Sequence, residues 1–424
     1  MFDVLIIGGG ASGFFAAIHI AENNPNLKIG ILEKGKDVLS KVRISGGGRC
    51  NVTHAEFDPK ELSKNYPRGE KEILGPFHTY CSGDTVGFFS EKGVNLKIEE
   101  DGRMFPESNS SQTIIDCFLT EATKLGIKII TQNAVVNLET LPQEKGWKIT
   151  CVKEIFECKK LLIATGSSPK IWSILKGLGH KIVPPVPSLF TFNTKDSRIS
   201  NIPGVSTNAK VKVVSKNKVS TKITVPLKSA PKQETLLETE GPVLVTHWGL
   251  SGPAILKLSA WGATILNNFD YKFMIVVNWL PDFHEGAIVD YLMQIKEVEA
   301  KKTILRTKAV ELPRRLWVNL VKASGINETL KWADVTKNQL QLLADQLTNC
   351  KIKVDGKSTF KEEFVTAGGV DLKEINFKTY KSKNLQNLYF AGEVINVDAI
   401  TGGFNFQNAW TSGYIAAQGI TSEF

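Results

Sequence analysis

The sequence predicts an α/β protein: a parallel sheet flanked by helices and interrupted by a β-rich insert. Three observations carry this. The first 33 residues read strand, glycine turn, helix, strand, acid. Short apolar runs recur near both ends of the chain. The middle changes to short alternating strands and then to charged helical segments.

Phe2 to Ile7 (FDVLII) is apolar and β-branched, long enough for a buried parallel strand and too short for a helix. Gly8-Gly9-Gly10-Ala11-Ser12-Gly13 follows, then a helical stretch Phe14 to Glu22, then Leu27 to Leu32 ending on Glu33. Each part suits a bound dinucleotide. Gly8 permits a tight turn, Gly10 lets backbone approach a pyrophosphate, and Gly13 lets the helix pack on the strand. The helix N-terminus offers free N–H groups and partial positive charge to phosphates. Glu33 is placed to accept from a ribose hydroxyl pair.

Further along, Lys41 to Asn51 (KVRISGGGRCN) reads as a glycine-rich loop with two arginines, and residues 60–90 carry helices. Ser110 to Leu125 has helical periodicity stopped by Gly126, and Ile127 to Ile130 is a further strand. Ala134 to Leu138, Trp147 to Val152 and Ile155 to Cys158 read as an antiparallel meander, with Cys151 and Cys158 facing across a hairpin. Leu161 to Gly166 (LLIATG) returns to the main sheet. Val183 to Ser188 (VPPVPS) marks a domain boundary. Beyond it, strands are expected at 210–214, 222–225, 236–240, 243–246 and 273–278, and helices from Asp282 to about Gln346. Strands at 350–354 and 361–366 lead back to the first domain, Leu388 to Ala391 (LYFA) is a buried strand, and Gly403 to Ile420 closes the chain.

The chain has 424 residues, 42% hydrophobic and 22% charged, which suggests more than one domain and a soluble protein. Asp3 stands where a signal peptide would carry positive charge, and no apolar run is long enough to span a membrane. Six cysteines without C-x-x-C or metal-ligand spacing fit a reduced cytoplasm and no metal site. The net charge of +9 is concentrated: Lys195 to Glu234 holds nine basic residues against two acids. That is either a solvated lysine-rich insert or a footprint for a polyanion such as RNA, contacted through 195–232.

Four motifs would converge on a doubly wound sheet: GGGASG with Glu33; the loop Ser45 to Asn51; Ala164-Thr165-Gly166; and LYFAGEV with ITGGFNFQNAW at 400–410. A dinucleotide fingerprint at one chain end paired with a glycine-started helix at the other is how FAD is gripped at both halves. In these words, and in ISGGGRCNVT (44–53), DGRMFPESNSS (101–111) and THWGLSGPAIL (246–256), the chain resembles the BaiN/RdsA-like family of FAD-dependent oxidoreductases. The resemblance spans nearly the whole chain. It implies a Rossmann-like FAD-binding domain built from both chain ends (1–187 and 355–424), an inserted β-barrel (188–280 and 347–354) and a helical subdomain (281–346). It also implies FAD contacts at Gly8, Gly10, Ala11, Ser12, Gly13, Glu33, Lys34, Arg43, Gly48, Asn51, Gly392, Glu393, Gly403 and Phe404, with Val135 on the strand that meets the adenine. Gly46, Gly47, Asp398, Gly402 and Asn405 complete the expected cofactor surface. The chain departs from the family in a shortened loop after Gly166 and in Ala399, where the family has glycine.

Such family members reduce activated C=C bonds in steroid-like substrates or in a uridine of large-subunit ribosomal RNA. By position, Cys50 and His247 are the candidate acids, each also readable as a structural residue, and Arg49 could hold the flavin edge, an anionic substrate or a phosphate. Three readings follow: an NADH- or NADPH-driven C=C reductase acting on ribosomal RNA, a flavin oxidase or dehydrogenase of an amine or steroid-like molecule, and an FAD-binding protein without turnover. With no second fingerprint, the nicotinamide visits transiently.

Overall fold

The computed structural model describes residues 1–142, 145–214, 235–283, 286–358 and 365–424. They fall into two compact units, Met1–Ser188 with Lys361–Phe424, and Leu189–Phe360. The strand expected at 222–225, most of that at 361–366, and Lys216, Lys218, Lys222, Lys228 and Lys232 lie outside the described residues.

The first unit is a nine-stranded sheet with helices packed on it. Its parallel part runs in the order Leu388–Phe390, Ile155–Ile163, Phe2–Ile7, Ile29–Leu32, Lys128–Ile130. Val4, Leu5 and Ile6 of the central strand are wholly buried, as an apolar run covered on both faces must be. The Leu388–Phe390 strand comes from the far end of the chain and hydrogen-bonds beside Ile155–Ile163, so this sheet is complete only with both termini.

Several sequence expectations change here. Ile155–Cys158 and the LLIATG strand are one nine-residue strand, with Cys158 paired to Phe2 on one side and Trp147 on the other. Lys159 and Lys160 disguise the continuity, and each is paired: Lys159 with Asp3 at 2.8 Å, and the buried Lys160 with Glu423 at 2.8 Å. Cys151 lies opposite Val135, so the two thiols do not face one another, and all six cysteines are free. The expected loop at 41–51 is partly helical, Ser40–Gly48, broken by non-helical Ser45, Gly46 and Gly47. The proline cluster is itself a strand, Ile182–Pro187, pairing antiparallel with Thr366–Val370 through a bulge between Val183 and Val186.

The fingerprint helix Ala11–Asn23 packs along the closing helix Phe404–Thr421 at Gly413, where a Cβ would come within 2.9 Å of the Ser12 carbonyl oxygen. Phe15, Phe118 and Trp410 fill the space beside this crossing, the first two with ring centroids 5.3 and 5.6 Å from Trp410. The tail after the closing helix is tied down by Glu423, which accepts from Lys160 and Lys381 at 2.8 Å each. Burial pushes this carboxyl up, but those ammonium groups outweigh it and hold it at about 2. A carboxyl depressed on folding contributes stability above its unfolded pKa, and that contribution is lost as pH falls through the folded value. Wild type should therefore be more stable than Glu423→Gln at pH 7, with the gap closing between about pH 4 and pH 2. Urea unfolding of both proteins across that range checks it.

The second unit is built on a seven-stranded antiparallel sheet: Cys350–Asp355, Lys272–Asn278, Ser206–Val214, Thr235–Val245, Gly249–Ser251, Thr191–Asn193 and Lys357–Ser358, in that order. The two strands expected at 236–240 and 243–246 are one, because Gly241 and Pro242 stay in register opposite Ala209 and Asn208. Helices Ala287–Val298, Arg314–Ala323 and Lys337–Thr348 share one apolar core with this sheet, including Ile275, Val277, Leu292, Leu320 and Leu343. Among the described residues no helix is long and apolar enough to cross a membrane.

Candidate cofactor site

The site grows from the C-terminal end of the first strand. Gly8 turns the chain at φ +113°, and a Cβ there would lie 2.4 Å from the Ala164 carbonyl oxygen. The fingerprint turn is thus pressed against Ala164-Thr165-Gly166 at the end of the neighbouring strand. Gly13 is equally constrained, since its Cβ would meet the Gly8 carbonyl oxygen at 2.1 Å. Gly10 is different: a Cβ there would meet nothing within 4 Å. It precedes the helix with no side-chain cap, leaving the first-turn N–H groups of Ala11, Ser12 and Gly13 without a side-chain acceptor among the described residues.

Glu33 locks the turn, its carboxylate accepting from Gly9 N–H at 2.9 Å and Gly35 N–H at 2.7 Å. Glu33 also lines a cleft together with Gly8, Lys34, Val135, Thr165 and Ser168 among others. Val135, far from the fingerprint in sequence, is therefore beside it in space.

The other chain end arrives through Gly392, whose Cβ would strike Ser12 Oγ at 2.6 Å. Glu393 accepts from Lys41 Nζ at 2.6 Å and from Thr366 N–H at 3.0 Å, and Gly166 approaches the same carboxylate. Gly402 and Gly403, at φ +134° and +96°, start the closing helix. Asn51, with its amide oriented to satisfy both ends, accepts from Gly403 N–H at 2.9 Å and donates to the Thr53 carbonyl at 3.1 Å. That pair of bonds clips the second motif to the fourth. Asn405 secures the turn, its side chain bonding Ala399 N–H at 3.0 Å and the Ala399 carbonyl at 3.1 Å. Phe404 stacks on His54, with centroids 4.5 Å apart.

Gly46, Gly47 and Gly48 are consecutive left-handed residues, φ +58°, +68° and +84°, and a Cβ on Gly47 or Gly48 would meet nothing within 4 Å. Side chains would strain this segment, and its outer face is open. Cys50 also has positive φ, at +60°, and is wholly buried. Burial pushes its thiol up to about 12, which favours packing over proton donation. Arg49 lies 3.9 Å over the Phe105 ring and pairs with Glu99 at 2.6 Å, a contact that a phosphate or flavin edge would have to share. Arg43 donates to Gln112 at 2.7 Å. Asp398 is fully buried and paired with Arg68, and accepts from Ser188 Oγ at 2.7 Å. His247 belongs to the second unit, exposed at the hairpin tip after Thr235–Val245.

Three participants were not singled out from sequence. His54 Nδ1 lies 3.0 Å from the Gly402 carbonyl oxygen. Gln407 Oε1 accepts from Thr53 at 2.6 Å and Thr85 at 2.9 Å, joining three segments inside the core. Arg68 pairs with Asp398. His54 and Gln407 stand in or next to the glycine motifs, which was the available signal; Arg68 has none.

A bound dinucleotide fits what these residues leave unfilled. The space over Gly10, Gly47 and Gly48 would be closed by side chains. Thr366 Oγ1, beside Glu393, and Asn408 Oδ1, on the closing helix, are buried without hydrogen-bond partners among the described residues.

The model of the HI0933-like protein Rossmann domain matches residues 2–419. The chain belongs to the HI0933-like family. This HI0933-like chain is 28% identical to a ribosomal RNA dihydrouridine synthase of Haemophilus influenzae, over 99% of this chain and 98% of that one. It is 27% identical to a ribosomal RNA dihydrouridine synthase of Escherichia coli, over 99% and 98%. It is 26% identical to a 3-dehydro-bile acid delta(4,6)-reductase of Clostridium scindens, over 97% of each. The HI0933-like match therefore begins before the fingerprint and ends within the closing helix.

Proposed function

We propose that this chain is an FAD-dependent reductase of an activated C=C bond, driven by NADH or NADPH, with a uridine of large-subunit ribosomal RNA as its substrate. The observation that carries the cofactor reading is the convergence of the two chain ends, with Asn51 bonded to Gly403 and Gly392 packed on Ser12. The full-length relatives named for dihydrouridine synthesis and for bile-acid reduction support C=C reduction as the reaction. Two full-length relatives are named for RNA and one for a steroid-like molecule, and this favours RNA.

Bound FAD supplies hydride transfer in such chemistry. The chain's own part is grip and exclusion. Glu33, already fixed by Gly9 and Gly35, holds the ribose hydroxyls. The N–H groups after Gly10 would take the pyrophosphate, and Glu393 with Thr366 would hold other polar atoms of the cofactor. The turn Asp398–Gly403 and the Gly46–Gly48 segment are the residues that would hold the ring. Reduction of the pyrimidine C5=C6 bond needs a proton as well as a hydride. Cys50 is a poor donor at its burial, which leaves water to supply it.

An anaerobic visible spectrum tests the reading. NADH or NADPH should bleach the bound flavin, and ribosomal RNA lacking the modification should restore its colour. Bleaching restored only by a steroid-like enone would replace the RNA substrate with a small molecule. A protein that takes up no flavin would overturn the cofactor reading itself.

A further inference from the structure

The second unit carries an exposed aromatic feature of its own. Between Thr235–Val245 and Gly249–Ser251, the turn Thr246-His247-Trp248-Gly249 displays two neighbouring aromatic rings to solvent, with centroids 5.9 Å apart. Trp248 is 49% exposed and Leu244, on the same hairpin, 36%. The backbone beneath them is held firmly. Thr246 N–H donates to the Gly249 carbonyl at 2.7 Å, and Thr246 Oγ1 accepts from Gly249 N–H at 3.2 Å. A Cβ on Gly249 would lie 2.1 Å from the Phe192 carbonyl oxygen, so the turn is pressed onto the next strand. Thr194 N–H donates to the Trp248 carbonyl at 3.0 Å.

An apolar ring held at the end of a braced turn pays little ordering cost when a flat partner stacks on it. Charge says which partner. Lys195, next to the Thr194 that holds Trp248, is exposed and has no ion-pair partner among the described residues. Elsewhere in the basic stretch, Lys210 and Lys212 share Glu238 at 2.6 and 3.2 Å, and Arg198 pairs with Asp196 at 2.6 Å. The described strand Ser206–Val214 thus spends its cations on its neighbour, and the tip keeps its own.

We propose that the His247–Trp248 tip, with Lys195, is a stacking platform for an unpaired base of an RNA strand, Trp248 taking the base and Lys195 the adjoining phosphate. This rests on the reading of ribosomal RNA as substrate and gives it a point of contact.

The test is binding of a fluorescently labelled oligouridylate to the FAD-loaded protein at low and raised salt, by anisotropy. Trp248→Ala should weaken binding about tenfold with little change in salt slope, since stacking is not a charge contact. Trp248→Phe should recover most of that loss, and Lys195→Ala should lower the salt slope. Trp261→Ala, which removes another exposed tryptophan, should leave binding unchanged. Flavin content and melting temperature confirm that each variant is folded. Wild-type affinity in Trp248→Ala overturns the platform, as does an equal loss for duplex RNA. If wild type restores its flavin with ribosomal RNA while Trp248→Ala binds and turns over like it, the platform fails and the substrate reading stands. If wild type neither binds the oligonucleotide nor reacts with ribosomal RNA, both fall.

Discussion

Gly13→Ala is expected to cost about 3 kcal/mol of stability and to abolish retention of the dinucleotide, the upper end of the usual penalty for overpacking. The new methyl would sit 2.1 Å from the Gly8 carbonyl oxygen, inside any permitted contact, and its neighbour is backbone rather than a side chain able to swing away. The helix must lift off the strand, or the turn at Gly8 must open. Gly8 has little freedom to yield, because it abuts the Ala164 carbonyl in turn. Gly10→Ala is the informative partner. Nothing lies within 4 Å of its new methyl, so stability should stay within about 0.5 kcal/mol of wild type. Dinucleotide affinity should nevertheless fall at least tenfold, because the methyl occupies the space over the helix N-terminus. Urea unfolding of the apoproteins with flavin titration separates the two effects. Equal stability losses in both variants would show that the open space over Gly10 is not real.

Arg68→Ala should destabilise the protein by about 3–5 kcal/mol, because it strands a buried carboxylate. Asp398 is wholly buried, and Arg68 and Ser188 are the groups that compensate its charge. Burial pushes the Asp398 carboxyl up even with the guanidinium present. Without Arg68 it should rise further. A carboxyl raised on folding favours the folded state at low pH and loses that advantage as pH climbs through the folded pKa. The Arg68→Ala penalty should therefore be largest at neutral pH and shrink as the solution is made acidic enough to protonate Asp398. The double variant Arg68→Met with Asp398→Leu should recover much of the loss, since no buried charge is then left unpaired. A penalty independent of pH, and unrelieved in the double variant, would mean that Arg68 acts by packing alone. Asp398 leads directly into the Ala399–Gly403 turn, so flavin affinity should fall together with stability in Arg68→Ala.

Much of the site could be read from the sequence because its requirements are local. Gly8, Gly10, Gly13 and Glu33 fall within one strand–turn–helix–strand unit, where a positive φ, a close approach and a fixed spacing each demand a residue type. The apolar runs at 2–7, 29–32 and 388–390 are buried on both faces, and β-branched stretches of that length have few other places to go. Where local composition misleads, the reason is a partner distant in sequence. Lys159 and Lys160 looked like the end of a strand until Asp3 and Glu423 supplied their counter-charges. Gly241 and Pro242 looked like a break until their pairing partners in Ser206–Val214 carried the ladder through. By position Cys50 reads either as an acid or as a packing residue, and its place in the buried apolar cluster favours packing.

The sequence by itself determined the α/β class, the fingerprint turn, and the pairing of a dinucleotide motif with a glycine-started helix some 390 residues later. These follow from steric and hydrogen-bonding rules that act within a few residues. Only the tertiary structure decided that Asn51 reaches Gly403, that Gln407 joins Thr53 to Thr85, and that Arg68 meets Asp398. A buried polar group must find its partner wherever the chain brings one, and that choice is made by the packing of the whole unit rather than by the residues on either side.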